Sequence, residues 1–307
     1  MAASNVETFT NPRDNLPNVY TDVTAREIDF VTRFNSNWNA LAEILGVMRP
    51  IKKTAGTKLV SYTADVTLAD GDVGAGDLIP YSKTTIVQSE FGDLTIQKYA
   101  KAVPIEDVNQ YGAAIAVEKS DDAFLTKLQN KVLGDFYSFL TGTVGVLTDT
   151  ATTWQGALAK AQGLVLNKFA SIDKDVTEVV GFANILDAYD YLATAEITIQ
   201  TSFGIQYVKD FLGYKTLFLL PAKYIARNTV IAVPVENIDL YYADPSDSDF
   251  AKLGLQYTVE GKTNLIGFHA QGNYGTAVGE SFALMGMALW AEYVDGIAKV
   301  TITSNPS

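Results

Sequence analysis

The sequence lacks the residues on which several classes of protein chemistry depend. Its 307 residues include no cysteine and only one histidine, His269. Without cysteine, the chain can form no disulfide, no thiolate nucleophile and no iron–sulfur or cysteine-rich zinc site. A single histidine also excludes a multi-histidine metal centre within one chain. We therefore expect no cofactor and no metal.

Charged residues are also scarce. They make up 19% of the chain, below the roughly 25% of typical soluble domains. Acidic residues outnumber basic ones by 35 to 23, which gives a net charge of −12. A nucleic-acid reader needs clustered lysine and arginine, so sequence-specific binding of nucleic acid is not expected. The hydrophobic content of 48% favours a folded chain of one large domain or about two smaller ones.

Long apolar runs and targeting segments are missing as well. The longest apolar stretch, residues 281–291, spans about eleven residues, whereas a membrane helix needs about twenty. The first residues show no basic region followed by an apolar run. We therefore expect a soluble cytoplasmic product without a membrane segment.

The first third of the chain predicts an arm, a helix and a long hairpin. Residues 1–23 have no periodicity, and Thr24 and Glu27 fit a capping box that begins a helix ending near Gly46. Its predicted apolar stripe is Ile28, Val31, Phe34, Trp38, Leu41 and Leu45. Strands are predicted at 57–68 and 83–91, joined by an acidic segment rich in glycine. Because a lone hairpin is marginally stable, it should lie on its own body or on a neighbouring chain.

The remainder predicts a strand, one very long helix and an α/β region. The strand covers 93–104, and the helix runs from about 113 to 140. The buried stripe of that helix should be Val117, Phe124, Leu128, Val132, Phe136 and Phe139 or Leu140. Further helices are predicted at 153–168 and 185–196, strands at 176–184, 214–220, 229–235 and 238–243, a turn or short helix at 204–212, and β structure at 255–268 and 281–302.

Motifs for nucleotide binding fail on inspection. The glycines at 71, 74 and 76 do not match the dinucleotide-binding pattern, and a turn explains them better. Residues 261–263 resemble the end of a P-loop, but the required glycine is replaced by Gln256. Nucleotide binding is therefore rejected at both places.

Metal-binding and catalytic motifs are equally weak. Asp70 and Asp72 begin like a calcium loop, but Ala75 and Tyr81 stand where glycine and glutamate are needed. A second acidic group at 244–249 fails in the same way. A solvated acidic loop is the default, with a loose surface calcium site as the alternative. His269 lies in an apolar stretch with no nucleophile elbow in the chain, so a structural or surface role is favoured.

The order of the elements resembles the Hong Kong 97 type major capsid proteins of tailed bacteriophages. Four segments carry the resemblance: residues 71–80 with their acidic, glycine-rich stretch ending in Ile-Pro, residues 96–107, residues 211–234, and residues 283–290. Each motif alone is weak, and the expected proline is absent after Tyr214. The resemblance covers nearly the whole chain through the order and spacing of these segments.

The resemblance implies an α+β capsid-type fold divided into named regions. The N-terminal arm and helix would occupy 1–46, and the extended hairpin called the E-loop would occupy 57–91. The P-domain, with a spine helix at about 113–140, would take 47–56 and 92–149, and the A-domain would take 150–254. Residues 255–307 would return to the P-domain.

The resemblance further implies a structural function. The chain would assemble with itself into hexamers and pentamers of an icosahedral shell around double-stranded DNA, without sequence-specific binding of that DNA. A separate scaffolding protein and a portal would be partners, and the virion, assembled in the bacterial cytoplasm, would be the location. The hairpin residues expected to contact neighbours are Asp70, Asp72, Asp77, Ile79, Tyr81 and Lys83, and the expected spine-helix core is Phe124, Leu128, Val132 and Phe136.

Two alternatives to a phage capsid remain open. An encapsulin-like protein compartment would keep the fold but enclose protein. A hydrolase using paired carboxylates would belong to a different class, and it would require an exposed pair with matched pKa values in a cleft.

Overall fold

A computed structural model describes residues 25–34, 36, 48–54, 56–74, 78–112, 114–176, 178–193, 199–202, 205–259 and 264–303. The predicted arm, the capping Thr24 and the second half of the predicted N-terminal helix lie outside the described residues. Asp77 and residues 261–263 also lie outside them.

Runs of consecutive strands dominate the described chain, and helices alternate regularly with strands only between residues 147 and 192. The helices are α1 (25–34), α2 (Ile105–Tyr111), α3 (Lys119–Gly142), α4 (Trp154–Ser171), α5 (Ile185–Leu192) and α6 (Ser248–Lys252). The strands are β1 (Met48–Lys53), β2 (Lys58–Thr67), β3 (Lys83–Asp93), β4 (Ile96–Pro104), β5 (Leu147–Ala151), β6 (Val179–Asn184), β7 (Gln200–Ser202), β8 (Ile205–Phe211), β9 (Tyr214–Leu220), β10 (Thr229–Pro234), β11 (Ile238–Ala243), β12 (Ile266–Asn273), β13 (Val278–Ala291) and β14 (Ala298–Ile302). A π-helical turn, Ala114–Glu118, leads directly into α3.

The strands form two large sheets and one hairpin. The first sheet has the order β1-β11-β13-β12, and β4 pairs with the long strand β13. The second has the order β5-β14-β10-β6-β9-β8-β7. Strands β2 and β3 pair only with each other among the described strands.

The central strands of the second sheet are buried on both faces. In β6, Val180 and Phe182 join the apolar cluster that contains α3 and the first sheet, whereas Val179 and Ala183 join the cluster around α4. Side chains alternate between the faces of a strand, so one strand serves two cores. This explains why β6 is a continuous apolar run.

The long helix packs along one side into the first of these clusters. Leu128, Val132 and Phe136 are buried, at 2%, 0% and 1% exposure. Phe124 is only half-buried, and the adjacent Leu125 takes the buried position. Phe124 lies at the rim of the cluster because its ring packs against Phe30 of α1, with the ring centroids 6.0 Å apart.

Two sequence predictions were wrong. Residues 204–212 contain strand β8 rather than a turn or helix, because β8 pairs with β9 and β7 in a sheet that sequence periodicity does not show. Ile28 does not lie on the buried stripe of α1, because it is 52% exposed. The adjacent Glu27 is buried instead, and its carboxylate accepts hydrogen bonds from the Thr258 hydroxyl and the Ala270 amide.

Two strands pair in a sheet outside the region to which the sequence assigns them. Strand β11 falls within 150–254 but lies in the first sheet, where it pairs in parallel with β1. Strand β14 falls within 255–307 but lies in the second sheet between β5 and β10. The chain therefore returns to each sheet after leaving it, which ties the two sheets together through non-local strand pairing.

Candidate assembly interface

The hairpin of β2 and β3 extends away from both sheets. Its strands are 10 and 11 residues long, so at about 3.3 Å per residue the hairpin spans about 33 Å. Its register runs from Lys58 opposite Asp93 to Thr67 opposite Lys83. Nearly every residue of β3 is exposed. Beyond its base, most of the hairpin is therefore exposed in the described part of the chain.

The register gives the hairpin one apolar face. In an antiparallel pair, directly opposite residues lie on the same side of the ribbon, as do alternate residues along each strand. The pairing of Tyr62 with Gln88, Ala64 with Ile86 and Val66 with Thr84 therefore gathers apolar residues on one side. We call these residues the apolar face: Val60, Tyr62, Ala64, Val66 and Ile86. Tyr62 and Ile86 are 63% and 68% exposed, and a contiguous exposed apolar surface of this kind indicates an interaction site.

The tip of the hairpin combines exposed apolar and acidic residues. Ile79 and Tyr81 are 75% and 99% exposed. Asp70 and Asp72 are also exposed, and Asp70 Oδ1 accepts a hydrogen bond from the Asp72 amide at 3.0 Å. The structure brings these predicted contact residues to one end of the hairpin, with Lys83 at the start of β3. The described residues contain no group of three candidate metal ligands, here or elsewhere.

The base of the hairpin is packed on the first sheet. Leu59 and Leu94 are buried with Ala243 of β11, and the ring of Phe91 stacks on Trp290 of β13 at a centroid distance of 3.8 Å. Gly286 of β13 permits this close approach, since a Cβ there would lie 3.2 Å from the Thr95 carbonyl. Sequence reasoning missed this anchor because its partners are about 200 residues apart in the chain. The only available signal was an aromatic residue at the end of each strand.

Charged side chains fasten α1 and α3 to the body. Arg26 donates to both carboxylate oxygens of Asp121, and Lys101 Nζ lies 2.5 Å from the same carboxylate. Burial raises the pKa of Asp121, but the hydrogen bonds from Arg26 and Lys101 outweigh it, so the net pKa lies below its usual range. Burial has the larger effect on Lys101 and lowers its pKa. This buried cluster joins α1, β4 and α3.

The buried aspartates do not form a catalytic pair. Each is matched to a cation: Asp121 to Arg26 and Lys101, Asp187 to Arg227, Asp239 to Arg49, and Asp244 to Lys52. A general acid needs a raised pKa, whereas the net pKa values of Asp121 and Asp244 lie below the usual range. These carboxylates are arranged to hold elements together.

The remaining candidates also have structural partners. His269 is partly exposed, and its Nδ1 lies 3.3 Å from the carboxylate of Glu27. Asp244 accepts hydrogen bonds from the amide and hydroxyl of Ser246. An open cleft of about 430 Å³ lies beside the β10–β11 turn, and the carboxylate of Glu292 there is paired with Arg49. No described helix is both long and apolar enough to cross a membrane.

Comparison with known proteins identifies the fold through structure alone. No family model matches the chain, and no curated protein is similar in sequence. The mature capsid of bacteriophage PhiM1 superposes with a TM-score of 0.57 at 7% identity, over 86% of this chain and 87% of that one. The capsid subunit of cyanophage A-1(L) has a TM-score of 0.54 at 12% identity, over 86% and 92%. The SrpI encapsulin of Synechococcus elongatus PCC 7942 has a TM-score of 0.50 at 11% identity, over 87% and 90%. The chain therefore has the α+β fold of phage capsid subunits.

Proposed function

We propose that this chain is the major capsid protein of a tailed phage, and that it assembles with itself into an icosahedral shell around double-stranded DNA. The observation that carries the proposal is the long hairpin with an apolar face that nothing in the described chain covers. The capsid-type fold supports it, because the solved structures with this fold include phage capsids.

The occupant of the apolar face is a second copy of the chain. A surface of exposed Tyr62, Val66 and Ile86 needs an apolar partner, and a shell built from identical subunits supplies one at every position. In this arrangement, each hairpin lies on a neighbour. The apolar face is then buried in the assembly, as are Ile79 and Tyr81, and the marginal stability of an isolated hairpin no longer matters.

The charge of the chain fits the enclosure of DNA. With a net charge of −12, the subunit repels phosphates as a whole, so the shell holds DNA without binding it tightly. The same repulsion keeps free subunits apart before assembly. A separate scaffolding protein would then assist assembly, and a portal would occupy one vertex. The virion is the proposed location, with assembly in the host bacterial cytoplasm.

Electron microscopy of the purified full-length chain tests this proposal. Closed shells, tubes or rings of capsomers are expected, with a scaffolding protein added if the chain alone does not assemble. A chain that remains monomeric across protein concentration, salt and scaffold conditions would contradict it.

An encapsulin-like compartment is the second candidate, favoured by the similarity to the SrpI encapsulin over 87% of the chain. The two candidates differ in what the shell encloses. Nuclease-protected DNA in particles isolated from their source would support the capsid. Particles that hold a protein cargo and no nucleic acid would support the compartment.

A further inference from the structure

The anchor at the hairpin base contains three aromatic rings, which we call the base clamp: Phe91, Tyr241 and Trp290. Phe91 stacks on Trp290 with an interplanar angle of 7°, and its centroid lies 5.6 Å from that of Tyr241. The Tyr241 hydroxyl donates to Asp239, which is paired with Arg49 of β1. The indole N–H of Trp290 has no hydrogen-bond partner among the described residues, so packing alone orients its ring.

The backbone is irregular at the same place. The register of the hairpin shifts between Lys58 and Val60, where Leu59 alone lies opposite both Phe91 and Gly92, which marks a bulge in β3. Gly92 has a φ of 93° and Gly56 a φ of 76°, both in the left-handed region that favours glycine. Bulges bend a strand and change the direction in which it continues. The direction of the hairpin is therefore set where the base clamp packs.

A small change of angle at the base has a large effect at the tip. For a hairpin of about 33 Å, a rotation of about 10° at the base moves the tip by about 6 Å, more than the ~4.8 Å spacing between neighbouring strands. Contacts between apolar side chains require heavy atoms within about 4.5 Å. The apolar face can meet a fixed surface only if the base angle is held within a few degrees.

We propose that the base clamp is a positioning device which fixes the angle between the hairpin and the body, and thereby the angle between adjacent subunits in the shell. Phe91 is its central ring, because it belongs to the hairpin while Tyr241 and Trp290 belong to the first sheet. This inference rests on the proposed function, in which the hairpin contacts a neighbouring copy. The first test below does not depend on assembly.

The angle can be measured directly in the full chain. Because the protein has no cysteine, spin labels attach only at introduced ones. Leu78→Cys places a label at the exposed tip and Lys127→Cys places one on the exposed side of α3. Labelled chains diluted with unlabelled ones should give a narrow distance distribution. Adding Phe91→Ala should widen it by several ångströms, because ~10° at the base corresponds to ~6 Å at the tip.

Two matched variants separate positioning from general loss of stability. Phe91→Tyr keeps the stacked ring and should restore the narrow distribution. Phe211→Ala removes another half-buried phenylalanine, which packs against Trp154 far from the hairpin, and should leave the distribution unchanged. A narrow distribution in Phe91→Ala would overturn the base clamp, as would equal widening in Phe211→Ala.

Particle size supplies the second test. Phe91→Ala should give particles of mixed diameter or open sheets in electron micrographs, whereas Phe91→Tyr and Phe211→Ala should give the wild-type diameter. A wide label distribution with unchanged particle diameter would overturn the link between the base clamp and the shell. If the wild-type chain forms no assemblies but the label distributions behave as expected, the proposed function fails and the base clamp stands.

Discussion

The hairpin and the second sheet are both built from β strands rich in apolar residues, yet they differ completely in burial. All residues of β6 and β10 are buried, whereas the apolar residues Tyr62, Val66 and Ile86 of the hairpin are more than half exposed. Burial of apolar surface is the main source of stability in a folded chain. The second sheet therefore contributes to the stability of the fold, while the hairpin keeps an apolar surface exposed. Folding is thus assigned to the second sheet, and assembly is the role proposed for the hairpin.

A charge placed in the body should have the largest effect. Val132→Asp introduces an aspartate at a fully buried position of α3, inside a cluster of apolar side chains. Burying an unpaired charge should cost more than about 4 kcal/mol, enough to unfold a marginally stable domain. The circular dichroism spectrum and thermal unfolding curve should show loss of the native fold. A folded Val132→Asp chain with near wild-type stability would contradict the assignment of α3 to the core.

An aspartate introduced into the hairpin should prevent assembly without unfolding the chain. Ile86→Asp lies on the apolar face at 68% exposure, so the free energy of unfolding should change by no more than about 0.5 kcal/mol. Assembly should be lost, because the charge would be buried against a neighbour. Sedimentation velocity should show folded subunits and no shells. Val87→Asp lies on the other side of the ribbon opposite Thr63, at 53% exposure, and is the matched control that should still assemble. Shells of Ile86→Asp would show that the apolar face is not an interface.

Breaking the ionic cluster of Arg26, Lys101 and Asp121 should lower the free energy of unfolding by an intermediate amount. Asp121→Asn removes the shared partner of Arg26 and Lys101, both partly buried. We expect a loss of about 1–3 kcal/mol, less than for a fully buried pair because Arg26 retains access to water. The pKa of Asp121 is lower in the folded chain than in the unfolded chain. The stability that Asp121 contributes is therefore present above the ordinary carboxyl pKa, and it is lost as the pH falls through the pKa of the folded chain.

The pH dependence of unfolding distinguishes this cluster from other carboxylates. The wild-type chain should lose stability on acidification below about pH 4, and Asp121→Asn should lose less over the same range. Urea unfolding at several pH values measures both. Identical pH profiles for the two chains would show that the cluster does not contribute to stability.

Local patterns were enough to predict the elements of the hairpin and most of the α/β region. Alternation and turn residues indicate β2, β3 and β4, because these signals act between near neighbours in the chain. The helical stripe also indicates α3, with an error of one position at Phe124, where packing against α1 decides which side chain is buried. The order of elements was sufficient to predict the capsid-type fold.

Long-range partners could not be predicted in this way. Glu27 has the spacing of a capping residue, but it bonds to Thr258 and Ala270, more than 200 residues away. Likewise, nothing near Phe91 indicates that it stacks on Trp290, and β14 gives no sign that it joins the second sheet. The features that position the hairpin are non-local, so they become visible only when the chain is folded.

Neutralising the acidic tip of the hairpin should have the smallest effect on stability and assembly. Asp70→Asn with Asp72→Asn removes two negative charges from an exposed segment, so the free energy of unfolding should stay within about 0.5 kcal/mol. Subunits with a net charge of −12 repel one another, and that repulsion is screened over about 10 Å at 0.1 M salt. Light scattering should therefore show that the double variant assembles at a lower salt concentration than the wild-type chain does. In high salt, the two chains should assemble equally. Glu106→Gln with Asp107→Asn removes the same charge from α2 and should shift the salt dependence less, because α2 is not part of the proposed contact. Loss of assembly at every salt concentration would instead show that Asp70 and Asp72 form specific ion pairs with a neighbour, which would make the tip a recognition element rather than a solvated one.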